Sequence, residues 1–209
     1  MKIYAFGVRE DEKQAFEQIS AQCGVEVTLS DEVPSLENAD LVKGYEGVTA
    51  LGMGNIDRDL LSRYSENGVR FLSTRTIGYN HIDLVAAKEL GIKVCNAAYP
   101  PNGVADFTVM MILMCLRQYK QALWRGQVND FSWQGLQGRD MNELTIGVMG
   151  TGRIGLQVLK NLSGFGCRLL AYDVYKNPEA EKLATYVDQD TIYKECDVIS
   201  LHMPLFDST

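Results

Sequence analysis

The chain has 209 residues, 46% of them hydrophobic, and a formal net charge of −7. This length fits one large domain or two small ones, and the apolar content is ample for a packed core. Acidic and basic residues are interspersed, so no basic surface is expected to attract phosphates, and the composition argues against a nucleic-acid partner.

No apolar stretch is long enough to cross a bilayer, because the longest, residues 109–116, falls far short of the roughly 20 residues required. The apolar run at residues 3–6 is too short for a signal peptide. The cysteines are odd in number and far apart, which argues against a disulfide framework and a zinc site. We interpret them as small buried hydrophobes in a reducing compartment and expect a cytoplasmic protein with no membrane partner and no metal. They are Cys23, Cys95, Cys115, Cys167 and Cys196.

The first hundred residues alternate short β-branched runs with helical patterns. Strands are predicted at residues 3–8, 25–29, 47–51, 70–73 and 92–95, and helices at residues 10–22, 57–66 and 83–90. Such alternation is typical of a parallel sheet covered by helices. The pattern predicts one α/β domain over residues 1–100.

The segment Tyr99-Pro100-Pro101-Asn102-Gly103 interrupts this pattern, since two prolines exclude a continuing helix or a central strand. We place a domain boundary there, with the second domain over residues 101–209. Residues 104–119 predict a helix that is apolar on all sides, which favours a position between domains or in a subunit interface. A polar, glycine-rich stretch follows at residues 126–138.

The second domain begins with a predicted strand at residues 144–149, which leads into the turn Gly150-Thr151-Gly152-Arg153-Ile154-Gly155 and a helix over residues 153–163. In this pattern the first glycine permits the bend, the second admits a pyrophosphate, and the third lets helix and strand pack closely. The next strand, residues 167–172, ends at Asp173. A carboxylate there binds ribose hydroxyls and repels a 2′-phosphate, so the pattern predicts NAD rather than NADP.

A third strand at residues 197–201 follows a helix at residues 189–195 and runs into His202-Met203-Pro204. These three residues are predicted to line the cofactor cleft, with His202 as part of the wall rather than a proton-transfer base. Only three strands are predicted after Glu143. The predicted cofactor-binding residues are Gly150, Gly152, Arg153, Ile154, Gly155, Asp173, His202, Met203 and Pro204.

Several segments, taken together, carry a family resemblance. They are residues 73–83 (STRTIGYNHID), 96–101 (NAAYPP), 104–108 (VADFT), 145–155 (TIGVMGTGRIG), 171–173 (AYD) and 197–204 (DVISLHMP). With these segments the chain resembles the D-isomer-specific 2-hydroxyacid dehydrogenases, and within them the D-lactate and D-2-hydroxyisocaproate dehydrogenase branch.

The resemblance implies a flavodoxin-like substrate domain, completed by a C-terminal return, followed by the first half of a Rossmann NAD-binding domain, with substrate and nicotinamide meeting in the cleft between the domains. It also implies NAD-dependent interconversion of a D-2-hydroxy acid such as D-lactate and its 2-keto acid, and a homodimer. By position, the amides around Ile77 and Gly78 would bind the substrate carboxylate and Tyr99 would reach the substrate, while His81 would be structural.

The sequence departs from the family pattern at two positions, with Pro100 in place of serine and Asp106 in place of glutamate. Both departures are small and bear on substrate preference alone. The family's catalytic arginine, glutamate and histidine would all follow Thr209, so no catalytic residue is predicted in these 209 residues and they are expected to be inactive by themselves. A non-catalytic NAD-binding or regulatory module remains an alternative. So does an enzyme acting on glycerate, phosphoglycerate or 2-hydroxyglutarate, although Arg75 is the only nearby base for a phosphate.

Overall fold

The computed structural model describes residues 1–205, which form two compact units. The first unit is Met1–Tyr99, and the second begins at Pro100. Within the described residues, no helix combines the length and apolar character needed to span a membrane.

The first unit is a five-stranded parallel sheet with the order β2-β1-β3-β4-β5. This order is that of flavodoxin-like folds, as predicted. The strands are β1 Lys2–Ala5, β2 Glu26–Leu29, β3 Gly47–Ala50, β4 Phe71–Thr74 and β5 Lys93–Asn96. The helices are α1 Glu10–Cys23, α2 Arg58–Glu66 and α3 Leu84–Glu89, and a single 3₁₀ turn occupies Ala39–Val42.

Two aspartates that were predicted as the first helical residues act as caps instead. The Asp57 side chain accepts a hydrogen bond of 3.0 Å from the Leu60 N–H, and the Asp83 side chain accepts one of 2.8 Å from the Ala86 N–H. A short carboxylate at the N-cap satisfies an amide that the helix leaves unpaired, which explains why both helices begin one residue later than predicted.

The two faces of this sheet are covered unequally. Tyr4, Val48 and Leu72 belong to the buried core on the face that α2 and α3 cover. The opposite face, which includes Ile3 and Phe71, borders an apolar groove of about 710 Å³ beside α1. All fourteen residues of α1 lie in the described part of the chain, and none of them is fully buried.

The second unit contains a four-stranded parallel sheet with the order β8-β7-β6-β9. This is the 3-2-1-4 order of the Rossmann fold. The strands are β6 Thr145–Met149, β7 Arg168–Tyr172, β8 Thr185–Tyr186 and β9 Val198–Leu201. The helices are α4 Asn102–Leu116, α5 Tyr119–Gln127, α6 Arg153–Ser163, α7 Pro178–Glu181 and α8 Gln189–Glu195, and a 3₁₀ turn occupies Met141–Glu143.

The prediction of three strands after Glu143 was therefore wrong, because β8 is a fourth. Its two residues pair in parallel with Leu170 and Ala171 of β7. A two-residue strand is too short to produce a recognisable period-two pattern, so its position depends on contacts made by the folded sheet.

The predicted helix over residues 104–119 is also wrong at its end, since α4 stops at Leu116 and α5 begins at Tyr119. Gln118 adopts a left-handed conformation with φ 52°. The Leu116 carbonyl accepts a hydrogen bond of 3.1 Å from the Arg139 N–H, a partner distant in sequence. This contact takes the carbonyl that a continuing helix would use.

The expectation that the cysteines are buried is wrong as well. Cys23, Cys95 and Cys115 are exposed, whereas Cys167 and Cys196 are partly buried. All five lie in the described part of the chain and are free thiols. Burial raises the pKa of the Cys167 and Cys196 thiols, because a thiolate loses hydration in apolar surroundings.

Candidate cofactor site

The nine predicted cofactor residues lie at one edge of the second unit's sheet. The central strand β6 pairs with both β7 and β9, so the carboxyl ends of the three parallel strands are neighbours. The Gly150 N–H donates to the Tyr172 carbonyl at 2.8 Å, and the His202 N–H donates to the Met149 carbonyl at 2.7 Å. These bonds join the segments that follow the three strands into one surface.

The three glycines of the turn meet different surroundings. Gly150 has φ +91°, and a Cβ there would lie 2.6 Å from the His202 carbonyl carbon. A Cβ on Gly155 would lie 1.9 Å from the Gly150 oxygen, so only glycine lets α6 approach β6 this closely. A Cβ on Gly152 would meet no described atom within 4 Å. The fold requires the outer glycines, whereas the middle one borders open space.

That open space lies at the start of α6. Gly152 is the N-cap and has no side chain to occupy the first amide groups of the helix. Val158, Leu159 and Leu162 bury one face of α6 and fix its direction. The amides at a helix start and the positive end of the helix dipole favour an anion, and the open surface beside Gly152 admits one. The turn therefore fits a dinucleotide pyrophosphate.

Asp173 directly follows β7 and is held by the glycine turn. Its Oδ2 accepts hydrogen bonds from the Thr151 N–H at 2.6 Å and the Thr151 hydroxyl at 3.2 Å, and its Oδ1 accepts one from the Tyr175 N–H at 3.0 Å. Partial burial acts to raise the pKa of this carboxyl, but the hydrogen bonds from Thr151 and Tyr175 outweigh it and hold the pKa below its ordinary value. Asp173 is therefore a carboxylate at neutral pH.

The remaining predicted residues form the sides of this surface. The His202 Nε2 lies 2.9 Å from the Ser200 hydroxyl, and burial lowers the pKa of His202, so its imidazole is neutral at pH 7. Met203 is partly buried, Pro204 is exposed, and at the start of α6 Arg153 is exposed and Ile154 partly buried. The wall role of His202 stays a prediction.

The predicted substrate residues belong to the first unit, where Ile77 and Gly78 follow β4. Their carbonyls are occupied: the Asn96 amide donates to the Ile77 oxygen at 2.8 Å, and the Thr76 hydroxyl donates to the Gly78 oxygen at 2.7 Å. Within residues 1–205, neither the Ile77 nor the Gly78 N–H donates to another protein group. Two available amides on an exposed loop can bind a carboxylate. Tyr99, at the end of this unit, is 42% exposed.

Arg75 is not available to a phosphorylated substrate in this conformation. Its Nε lies 3.0 Å from the Glu12 carboxylate, and its Nη2 donates to the carbonyls of Phe6 at 3.1 Å and Gly7 at 2.9 Å. The guanidinium therefore joins the end of β4 to the start of α1. The His81 carbonyl accepts the Ile56 N–H at 2.8 Å, and burial lowers the pKa of the His81 imidazole.

The sequence analysis did not predict a group of polar residues that is hydrogen-bonded to Asp173, namely Thr151, Tyr186 and Asn177. The Thr151 side chain is 1% exposed, and its hydroxyl lies 2.5 Å from the Tyr186 hydroxyl. The Tyr186 oxygen accepts the Asn177 N–H at 2.9 Å, and the Asn177 amide donates to the Thr151 carbonyl at 2.9 Å. Nothing in the sequence signalled Tyr186, because it lies on the unrecognised strand β8.

The chain is similar to known proteins in both sequence and fold. Residues 109–209 match the family model described as "D-isomer specific 2-hydroxyacid dehydrogenase, NAD binding domain". An aromatic 2-oxoacid reductase from Clostridium sporogenes is 43% identical over 209 residues, which cover 99% of this chain and 63% of that protein.

Two solved structures are similar over the whole chain. The apo-structure of D-lactate dehydrogenase from Escherichia coli has a TM-score of 0.86 at 37% identity, covering 100% of this chain and 66% of that one. D-lactate dehydrogenase with NAD⁺ from Lactobacillus jensenii has a TM-score of 0.76 at 35% identity, covering 100% and 64%.

The chain thus spans slightly less than two thirds of the length of these three relatives. Both the sequence identity and the parallel-sheet fold extend across nearly all of its own residues. Residues 109–209 thus match the NAD-binding domain of the D-isomer-specific 2-hydroxyacid dehydrogenases, and the chain is similar to members of that family over nearly all of its own length.

Proposed function

We propose that the protein containing this chain is an NAD-dependent oxidoreductase that interconverts a D-2-hydroxy acid, of the size of D-lactate or larger, and its 2-keto acid. The observation that carries the proposal is the edge of the second unit's sheet. There Gly152 leaves the start of α6 open, and Asp173 lies beside the glycine turn as a carboxylate. The relatives named above act on acids of this class.

In this proposal the residues of the second unit bind and orient the cofactor. The amides at the start of α6 bind the pyrophosphate, and Asp173 accepts hydrogen bonds from the adenosine ribose. Its negative charge disfavours a 2′-phosphate, which selects NAD over NADP. His202, Met203 and Pro204 form the wall. When bound, the cofactor supplies the hydride acceptor for a hydroxy acid or the hydride donor for a keto acid.

The residues of the first unit bind the substrate in this proposal. The amides of Ile77 and Gly78 hold its carboxylate, and Tyr99 contacts its side chain. The Arg75 guanidinium forms an ion pair with Glu12 and is not available to a phosphate, which favours a substrate without a phosphate group. The family resemblance does not assign the proton-transferring residues to these 209 residues, so we propose that they bind NADH without turning over a 2-keto acid.

We further propose that the protein is a homodimer and that it is located in the cytoplasm. Apolar side chains of α4 and α5 are exposed, among them Phe107, Met111 and Trp124, and a partner subunit would remove them from water. The five free cysteines are compatible with a reducing compartment.

Two glycine substitutions test the cofactor site. Gly152→Val adds a side chain to open space at a φ of −65°, so we expect only the small loss in melting temperature of a poorer N-cap and at least a tenfold loss of NADH affinity as the pyrophosphate is excluded. Gly155→Ala is the contrasting variant, because its Cβ would strike the Gly150 oxygen, and it should lower the melting temperature. NADH binding that survives Gly152→Val would contradict the proposed pyrophosphate position.

Activity is tested with NADH and pyruvate or phenylpyruvate, following absorbance at 340 nm. We expect the 209-residue chain to show no turnover and a protein with the full length of its relatives to reduce at least one 2-keto acid. NADH binding without turnover by that longer protein would favour the alternative of a non-catalytic NAD-binding module.

A further inference from the structure

The hydrogen bonds beneath Asp173 have a defined direction. A carboxylate only accepts, so the Thr151 hydroxyl must donate its proton to Asp173. Thr151 therefore accepts at its oxygen, and the Tyr186 hydroxyl donates to it. The Tyr186 oxygen in turn accepts the Asn177 N–H. The result is a chain of hydrogen bonds that runs from the Asn177 backbone N–H through the Tyr186 and Thr151 hydroxyls to the Asp173 carboxylate.

A chain of this kind restricts how the carboxylate can turn. An aspartate carboxylate offers about four lone-pair sites, and Thr151 and Tyr175 occupy three of them, two at Oδ2 and one at Oδ1. Oδ1 accepts fewer of these hydrogen bonds than Oδ2, and we assign the ribose hydroxyl to it. Bonds aligned in one direction also polarise one another, which strengthens each of them in a partly buried site.

The position of Tyr186 follows from β8. This strand pairs Tyr186 with Ala171, two residues before Asp173, and so brings the Tyr186 hydroxyl beneath the glycine turn. Lys176 Nζ lies 5.7 Å from the centre of the Tyr186 ring and helps to hold it. Tyr186 is partly buried and Thr151 is fully buried. If either hydroxyl were removed, water would therefore replace its hydrogen bonds poorly.

We propose that Tyr186 is a positioning residue for cofactor selection: acting through the Thr151 hydroxyl, it orients the Asp173 carboxylate toward the adenosine ribose. This inference rests on the proposed role of Asp173 in binding the ribose. An oriented carboxylate loses little rotational freedom when the cofactor binds, whereas a freely turning one must be ordered at that moment.

The test compares dissociation constants for NADH and NADPH, measured by fluorescence titration of the 209-residue chain. Tyr186→Phe keeps the ring and removes the hydroxyl, and Thr151→Val keeps the shape and removes the other hydroxyl. Each should weaken NADH binding about three- to tenfold, the equivalent of one lost hydrogen bond. NADPH binding should weaken less, so that the preference for NADH narrows. Thr151→Ser retains the hydroxyl and should restore most of the affinity.

The double variant shows whether Tyr186 affects NADH binding through Thr151. Because Tyr186 acts through Thr151, the pair Tyr186→Phe and Thr151→Val should be no weaker for NADH than Thr151→Val alone. Tyr193→Phe on α8, at a tyrosine that is 59% exposed, is the matched control and should change neither constant. A merely structural loss would weaken NADH and NADPH equally.

Three results would overturn the inference: an NADH affinity of Tyr186→Phe within twofold of the wild type, equal losses for NADH and NADPH, or additive losses in the double variant. Asp173→Asn separates this failure from that of the proposed function. If Asp173→Asn weakens NADH binding and Tyr186→Phe does not, only the positioning role fails. If Asp173→Asn also leaves NADH binding unchanged, the ribose-binding role fails with it.

Discussion

Asp173 combines structural contacts with the binding role that we propose for it. Its Oδ2 accepts the Thr151 N–H at 2.6 Å, which fixes the glycine turn, while Oδ1 accepts the Tyr175 N–H at 3.0 Å. The same hydrogen bonds that orient the carboxylate keep its pKa below the ordinary value. Protonation should therefore disturb the turn and the cofactor site together.

A stability profile against pH tests this coupling. The folded-state pKa of Asp173 is lowered, so its stabilising contribution is fully present above the unfolded-state pKa of about 4 and is lost as the pH falls through the folded-state value. Asp173→Asn should lower the melting temperature at pH 7, and its difference from the wild type should shrink below about pH 4. Asp190→Asn, at an exposed position on α8, is the control. A constant difference down to pH 2 would contradict this account.

Sequence patterns predicted the parts of the site that depend on local chemistry. The turn from Gly150 to Gly155 is specified by glycine backbone freedom and close packing, and the bounds of α6 and α8 matched the prediction because apolar periodicity and caps are local. Tyr186 was missed because its role depends on the pairing of β8 with β7. The end of α4 was missed because it involves a contact distant in sequence, the hydrogen bond from the Arg139 N–H to the Leu116 carbonyl.

At the scale of elements, the break between α4 and α5 stores backbone strain at Gln118. A non-glycine residue in the left-handed region costs about 1–2 kcal/mol, which glycine does not incur. We expect Gln118→Gly to raise the free energy of unfolding by up to about 1 kcal/mol, measured by urea denaturation. Asn129→Gly, also at positive φ, should gain less because asparagine tolerates this region. Destabilisation by Gln118→Gly would show that the Gln118 side chain supports the break.

The helix α4 also carries the proposed subunit contact. Its buried side is limited to Ala105, Val109 and Ile112, while Phe107 is 60% exposed, so apolar residues face both the core and the surface. A groove of about 760 Å³ adjoins this surface, lined by Met110 of α4 and by Phe165 after α6, among others. This explains the apolar character that the sequence shows on all sides of the helix.

Light scattering tests the dimer. We expect the wild type to have twice the chain mass of 23.3 kDa and Phe107→Glu to shift to the chain mass itself, because a charge in an apolar interface is costly. Val85→Glu, on α3 of the first unit at 65% exposure, should leave the dimer intact. A wild-type mass of 23.3 kDa at micromolar concentration would exclude this interface.

At the scale of the whole molecule, each unit of the chain has its own sheet and its own core. The first unit has an apolar groove beside α1. In the second unit, β9 has β6 as its neighbour on one side and forms an edge of the described sheet. The four strands present nevertheless include the three whose carboxyl ends form the proposed cofactor surface, so we expect this unit to retain NADH affinity.

The most direct measurement is a calorimetric titration of the 209-residue chain with NADH and, separately, with NADPH at pH 7. The account predicts saturable binding of NADH at one site per chain and at least tenfold weaker binding of NADPH, because Asp173 accepts ribose hydroxyls and repels a 2′-phosphate. Absence of NADH binding, or equal affinity for the two cofactors, would contradict it.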